Sequence, residues 1–251
     1  MSALENRSFL VTGSLGGMGL AIAEALLAAG ARVFMSHRPG SAAPVPPAAD
    51  SRTQAIELDV TSERDWVRAI ETIVAASGAL HGLVNNAGVL AAAAEFTDVS
   101  LAQWRRTLRV NLDGSFMGCR LAMRAMASTG GGAIVNISSG AAHIAVPDAA
   151  AYCVSKAAGL ALTRVAARAG GPHRVRVNAI LPGAVDTPML WRNLRPGGSA
   201  AQLLAALTAL HPIGRIGTPA DVAAAVVFLC DPANSFITGA ELAVDGGQLA
   251  A

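Results

Sequence analysis

A short apolar run, Ser8-Phe9-Leu10-Val11-Thr12, stops at Gly13-Ser14-Leu15-Gly16-Gly17-Met18-Gly19, and Leu20 to Ala29 then has helical composition up to Gly30. This order of residues restricts the fold more than any other feature of the chain. A brief apolar run bounded by breakers reads as a buried strand, and a glycine just after a helical stretch reads as its C-terminal stop. Strand, glycine turn and helix bring backbone N–H groups and a helix N-terminus to one point, the arrangement that holds a pyrophosphate. Gly13, Ser14, Gly16, Gly17, Met18 and Gly19 are the candidate contacts. The competing reading is an ordinary glycine-rich turn.

The alternation continues along the chain. Arg32 to Ser36 reads as a second strand, with His37 and Arg38 just past its end. In a dinucleotide fold this is where the adenosine ribose is read. No acid stands there to repel a 2′-phosphate, and Arg38 can pair with one, so the sequence points to NADP over NAD. Pro39 to Arg52 reads as an irregular loop, Gln54 to Leu58 as a third strand ending at Asp59-Val60, and Ser62 as the cap of a helix that stops at Gly78. His81 to Val84 reads as a fourth strand followed by Asn85-Asn86-Ala87-Gly88, whose amides can fix neighbouring backbone or form an Asx turn. Ser100 to Ala127 reads as one long helix with Asn111 in its middle, where asparagine is a poor helix former. The two readings there are a local kink with a functional amide, or a polar residue on the outer face. Ala133 to Ile137 reads as a fifth strand with Ser138-Ser139 at its end. Arg174 to Ile180 reads as a sixth, broken by Pro182-Gly183, and Glu241 to Val244 as the last. Thr218-Pro219 opens a further helix.

Such alternation predicts an α/β chain: a single Rossmann-like, doubly wound parallel sheet of about seven strands with helices on both faces. Residues 1–251 are read as one dinucleotide-binding and catalytic domain, with 187–211 as a substrate lid. Hydrophobic residues make up 53% and charged residues 14%, so a large core is available and the charge-poor surface is expected to be covered partly by other subunits. A net charge of +2 gives no case for nucleic acid, and no apolar run is long enough for a membrane. Cys119, Cys153 and Cys230 lack metal-ligand spacing and read as reduced thiols of a cytoplasmic protein; no metal site is expected.

Tyr152 is the only tyrosine and Lys156 the only lysine. Spacing of i and i+4 puts them on one helix face. An ammonium beside a phenol favours the phenolate, so the Tyr152 pKa is expected to fall toward neutrality, which suits general acid–base work. The alternative is a core tyrosine beside a snorkelling lysine.

Thr12-Gly13-x-x-x-Gly17-x-Gly19, Asp59, Asn85-Asn86-Ala87-Gly88, Asn111, Ser139, Tyr152-x-x-x-Lys156, Asn178 and Pro182-Gly183 resemble, in order and spacing, the motifs of the short-chain dehydrogenase/reductase family. The resemblance covers essentially the whole chain. It implies transfer of a hydride between a nicotinamide and a ketone or secondary alcohol. Tyr152 is implied to exchange the proton, Lys156 to hold the ribose and lower the Tyr152 pKa, and Ser139 to bond the substrate oxygen. Asn111 is implied to hold a water linking Lys156 to solvent. Asp59 is expected at the adenine and Asn86 and Gly88 along the cofactor, with Val60, Ala87, Pro182, Gly183, Val185 and Thr187 as further expected cofactor contacts. The place where NAD-dependent members carry aspartate holds His37, and Arg38 matches the basic residue of many NADP-dependent members. Gly16 is not basic, as it is in some of the latter. Substrate neighbours by position are Gly140, His143, Val146, Asp148, Ala184, Met189 and Trp191. A 3-oxoacyl-thioester reductase is the alternative activity, and a cofactor-sensing binding protein the non-enzymatic one. A homotetramer, or failing that a dimer, pairing helices 100–127 and 152–169 across subunits is expected.

Overall fold

The computed structural model describes residues 3–41, 51–192 and 198–250. Its seven strands are β1 (Ser8–Val11), β2 (Arg32–His37), β3 (Thr53–Glu57), β4 (Gly82–Asn85), β5 (Gly132–Ile137), β6 (Val175–Pro182) and β7 (Glu241–Val244). They form one sheet in the order β3-β2-β1-β4-β5-β6-β7, and every pairing is parallel. Chain direction across the sheet reverses between β1 and β4, so a crevice opens there at the carboxyl ends of the strands.

Burial on both faces explains why the strands read as continuous apolar runs. Phe9, Val11, Val33, Met35 and Val84 face α1 (Gly17–Ala28) and α8 (Pro219–Cys230), while Leu10, Phe34, Leu83, Ile134 and Val177 face the opposite helical layer. That second layer contains α2 (Glu63–Ser77), α4 (Gly114–Ala127) and α5 (Ala150–Gly170), with Trp66, Ile70, Ile73 and Met126 in its interior. Each such side chain stabilises the fold by about 1.5–3 kcal/mol on burial.

Helix boundaries follow local chemistry. Ser62 Oγ accepts from Asp65 N–H, and α2 ends on Gly78 at φ 78. Thr218 and Asp221 form a reciprocal capping box at the start of α8. The long helix expected over 100–127 is divided: α3 (Leu101–Leu108) passes through a π turn at Arg109–Asp113 into α4. Asn111 lies in that turn and is buried, so it is not a polar residue on the outer face. The 184–211 stretch carries α6 (Pro188–Arg192) and α7 (Ala200–Ala209). Residues 193–197 of the expected lid, and most of the expected Pro39–Arg52 loop, lie outside the described residues. Among the described residues no helix is long and apolar enough to cross a membrane.

Candidate active site

The turn after β1 is built by cross-strand polar contacts. Thr12 Oγ1 donates to Val84 O and accepts from the N–H groups of Asn86 (3.0 Å) and Ala87 (2.9 Å). Asn86 Nδ2 donates to Thr12 O at 2.9 Å and Gly13 O at 3.1 Å. Gly13, at φ 66, donates its N–H to Ser36 Oγ, and Ser14 Oγ donates to Ser36 O. The amides after β4 therefore pin the glycine turn across the crevice; they are not an isolated Asx turn.

The turn fits a dinucleotide. Gly16 is the N-cap of α1 and provides no side chain to accept from the first-turn N–H groups, and a Cβ there would meet nothing within 4 Å. Amides at a helix N-terminus with open space before them suit a pyrophosphate, and Met18 lies in that first turn. At the end of β2, His37 is buried and its Nδ1 has no hydrogen-bond partner, while Arg38 beside it is exposed. Asp59 Oδ1 accepts from Thr61 N–H and Oγ1, both at 2.8 Å, so Asp59 holds a turn here, with Val60 next to it accepting from Trp66 Nε1.

The second cluster is assembled on α5 and the end of β5. The Ser139 side chain stands beside the Tyr152 phenol and favours its ionised form. Ser139 Oγ accepts from Ala141 N–H at 3.1 Å, which fixes its direction. Lys156, one helical turn on, is buried and donates from Nζ to Ile137 O at 2.8 Å. Ser138 Oγ donates to Lys156 O, tying the same strand end to the helix. The Lys156 Nζ stands 5.5 Å from the Tyr152 ring centroid. Asn111 spans the gap to the crevice: Oδ1 accepts from Val89 N–H, and Nδ2 donates to Val89 O and Ser155 Oγ. Its amide is used in these contacts, which anchor the π turn to the segment that follows β4 and to α5. Gly88 lies beside both groups: a Cβ there would stand 3.4 Å from Asn111 Oδ1 and 3.7 Å from Lys156 Nζ.

The expected drop in the Tyr152 pKa is not borne out. Burial of the phenol pushes it above its ordinary value, and Ser139 opposes this only in part. The ammonium donates to the Ile137 carbonyl and stands over the Tyr152 ring. Burial also lowers Lys156, from 10.5 to about 8. This shift has a measurable sign. Between pH 8 and 10.5 the unfolded chain binds more protons at this lysine than the folded one, so folded stability rises with pH through that window. Wild type is expected to gain roughly 3 kcal/mol relative to Lys156→Met over the window, at about 1.4 kcal/mol per pH unit. Denaturant unfolding of both proteins across pH checks it; parallel curves would refute it.

Several contributors carried no sequence signal. Asn136 links Asn85 to Thr163 through buried bonds of 2.8 and 2.9 Å and so joins β4, β5 and α5. Ser36 and Ser155 support the two clusters from ordinary strand and helix positions. His143, proposed as a substrate neighbour, has its Nε2 3.2 Å from Glu241 Oε2. Among the described residues no three His, Cys, Asp or Glu side chains are grouped to hold a metal.

A glycine turn at the reversal point of a parallel sheet, with Ser139, Tyr152 and Lys156 grouped at the carboxyl end of a neighbouring strand, is the architecture of a dinucleotide-binding α/β protein. A family model described as "Enoyl-(Acyl carrier protein) reductase" matches residues 13–248. The chain is 38% identical to 2-(S)-hydroxypropyl-CoM dehydrogenase 3 of Xanthobacter autotrophicus, over 98% of each chain. Among solved structures it superposes on ligand-free Thermoplasma acidophilum aldohexose dehydrogenase with a TM-score of 0.89 at 35% identity, covering 100% of this chain and 96% of that one. ElxO with NADP bound gives a TM-score of 0.88 at 29% identity, with 98% and 99% covered. The chain belongs to the short-chain dehydrogenase/reductase family. It is a nicotinamide-dependent oxidoreductase of CH–OH groups.

Proposed function

We propose that the protein is an NADP(H)-linked ketone reductase or secondary-alcohol dehydrogenase in which Tyr152 transfers the proton. The observation that carries this reading is the grouping of Ser139, Tyr152 and the buried Lys156, whose Nζ stands 5.5 Å from the Tyr152 ring centroid, at the end of β5. When bound, the nicotinamide supplies or accepts the hydride. Ser139 and the Tyr152 hydroxyl hold the substrate oxygen, and Tyr152 gives it a proton in reduction or takes one in oxidation. The raised phenol pKa keeps Tyr152 protonated at neutral pH, the form that reduction uses. Lys156 holds the ribose and conducts the proton onward, with Asn111 at the next step of the relay. Val185 and Thr187 contact the cofactor, and residues 187–192 and 198–211 cover the substrate.

A panel assay tests the reading: absorbance of NADPH is followed with ketones of increasing size, 3-oxoacyl thioesters included. Turnover of simple ketones supports it. Strict dependence on a thioester would favour the oxoacyl reductase, and NADPH binding without turnover of any carbonyl would favour a cofactor sensor.

His37 and Arg38 support NADP as the preferred cofactor, with NAD as the weaker one. Arg38→Asp is expected to shift the ratio of kcat/KM values toward NADH by about 10- to 100-fold, the range of one lost charge-assisted hydrogen bond. A wild type that already prefers NADH would remove the assignment.

The protein is further proposed to work in the cytoplasm as a homotetramer. An apolar groove between α4 and α5, lined by Phe116, Met123, Ala127, Leu162 and Val165, supports pairing of these helices across subunits. Sedimentation at micromolar concentration is expected to give a tetramer; a monomer alone would reject it.

A further inference from the structure

Beyond the cluster around Tyr152, one buried imidazole uses both its nitrogens. His211 is 2% exposed and follows α7. Its Nε2 accepts from Ala184 N–H at 3.1 Å, and its Nδ1 is 2.6 Å from Leu207 O in the last turn of α7. An acceptor on one side and a carbonyl on the other require the neutral ring with its proton on Nδ1. The ring lies against Gly183 so closely that a Cβ there would stand 2.5 Å from Nε2. The nearby Asp245 carboxylate is taken by the N–H groups of Gly247 and Leu249.

Ala184 begins, and His211 ends, the excursion that carries α6 and α7. The other side of Ala184 is also held: its carbonyl accepts from Gly217 N–H at 2.8 Å, and Val185 bridges to Gly217. Further along, Thr187 is buried, and its methyl lies 3.4 Å from where a Gly17 Cβ would be. A single imidazole therefore staples both ends of the excursion and fixes the Gly183-Ala184 turn relative to the glycine turn that opens α1.

We infer that His211 is a positioning residue: in the Nδ1–H form it closes the 184–211 excursion and sets the wall of the cofactor crevice, without touching reactants. This rests on the reading above that the crevice holds a nicotinamide cofactor and the excursion covers the substrate. Loss of the staple should loosen binding more than chemistry, because Tyr152 and Ser139 are held by α5 and β5.

The test compares wild type, His211→Gln and His211→Leu. Glutamine keeps an acceptor near the position of Nε2, whereas leucine keeps volume and loses it. His211→Leu is expected to raise the NADPH Kd, measured by fluorescence titration, and the substrate KM by about 10-fold, the scale of one lost hydrogen bond, with kcat within about 3-fold. His211→Gln should recover most of that loss. Leu and wild type binding alike, or Gln as weak as Leu at equal thermal stability, would overturn the inference. Should His211→Leu fail to fold, long-range proton–nitrogen NMR of wild type still decides: the resonance absent from His211→Gln must show the Nδ1–H tautomer at neutral pH. An Nε2–H tautomer or a charged ring there would overturn it. Cofactor binding and the tautomer are both read without turnover. A wild type inactive on every carbonyl would therefore sink the proposed reaction, while these two readouts would still decide the role of His211.

Discussion

Tyr152→Phe is expected to lower turnover by about 100- to 10,000-fold, the contribution typical of a positioned general acid or base. The substitution removes one hydroxyl and keeps the ring in place. Its stability cost should be about 1 kcal/mol, from loss of the contact with Ser139. NADPH affinity should stay near wild type, because the glycine turn, Asn86 and Lys156 are untouched. Activity is read in both directions, with folding followed by circular dichroism. Near-normal turnover would remove the proposed proton transfer, whereas loss of NADPH binding would mean that the ring, not the hydroxyl, is what the site needs.

Gly19→Ala should act on the other half of the site, and with comparable force. A Cβ there would lie 2.2 Å from Gly13 O, 2.9 Å from Gly13 C and 2.6 Å from Asn86 Nδ2. Two of those atoms are backbone, so the turn itself must move, at a cost of about 1–3 kcal/mol by the usual scale of overpacking. NADPH affinity is expected to fall by more than about 100-fold, because the amides no longer converge on the pyrophosphate. Gly16→Ala is the control for stability. Gly16 has extended backbone, φ 173, and open space around its Cβ position, so its folding midpoint should match wild type. Equal NADPH affinity in Gly19→Ala and wild type would show that the turn does not bind the cofactor.

How much of this was legible in the sequence depends on how local the cause is. The β1-turn-α1 unit, the capping residues Ser62 and Thr218, and the stop at Gly78 follow from neighbours a few residues apart, and they stand where the sequence puts them. Tyr152 and Lys156 were legible because each is unique in the chain. The direction of the Tyr152 pKa was not, because burial of the phenol sets it, and that burial exists only once α5 has packed against the end of β5. Asn111 signalled a break in its helix, but its partners Val89 and Ser155 are joined only by topology. Ser36, Asn136 and His211 gave no signal at all. Each is a single polar residue without spacing, and its role appears only when another strand or the end of a long excursion returns to it. The helices in 188–209 were masked by Pro188, Pro196 and the Gly197-Gly198 pair, which read as loop.

The central claim is direct transfer between substrate carbon and nicotinamide, with Tyr152 handling only the proton. A secondary alcohol deuterated at its carbinol carbon, oxidised with NADP in ordinary water, tests it most directly. The account predicts that the deuterium is recovered on the nicotinamide ring of the reduced cofactor, in wild type and in the residual product of Tyr152→Phe alike. Deuterium released to the solvent instead would contradict it.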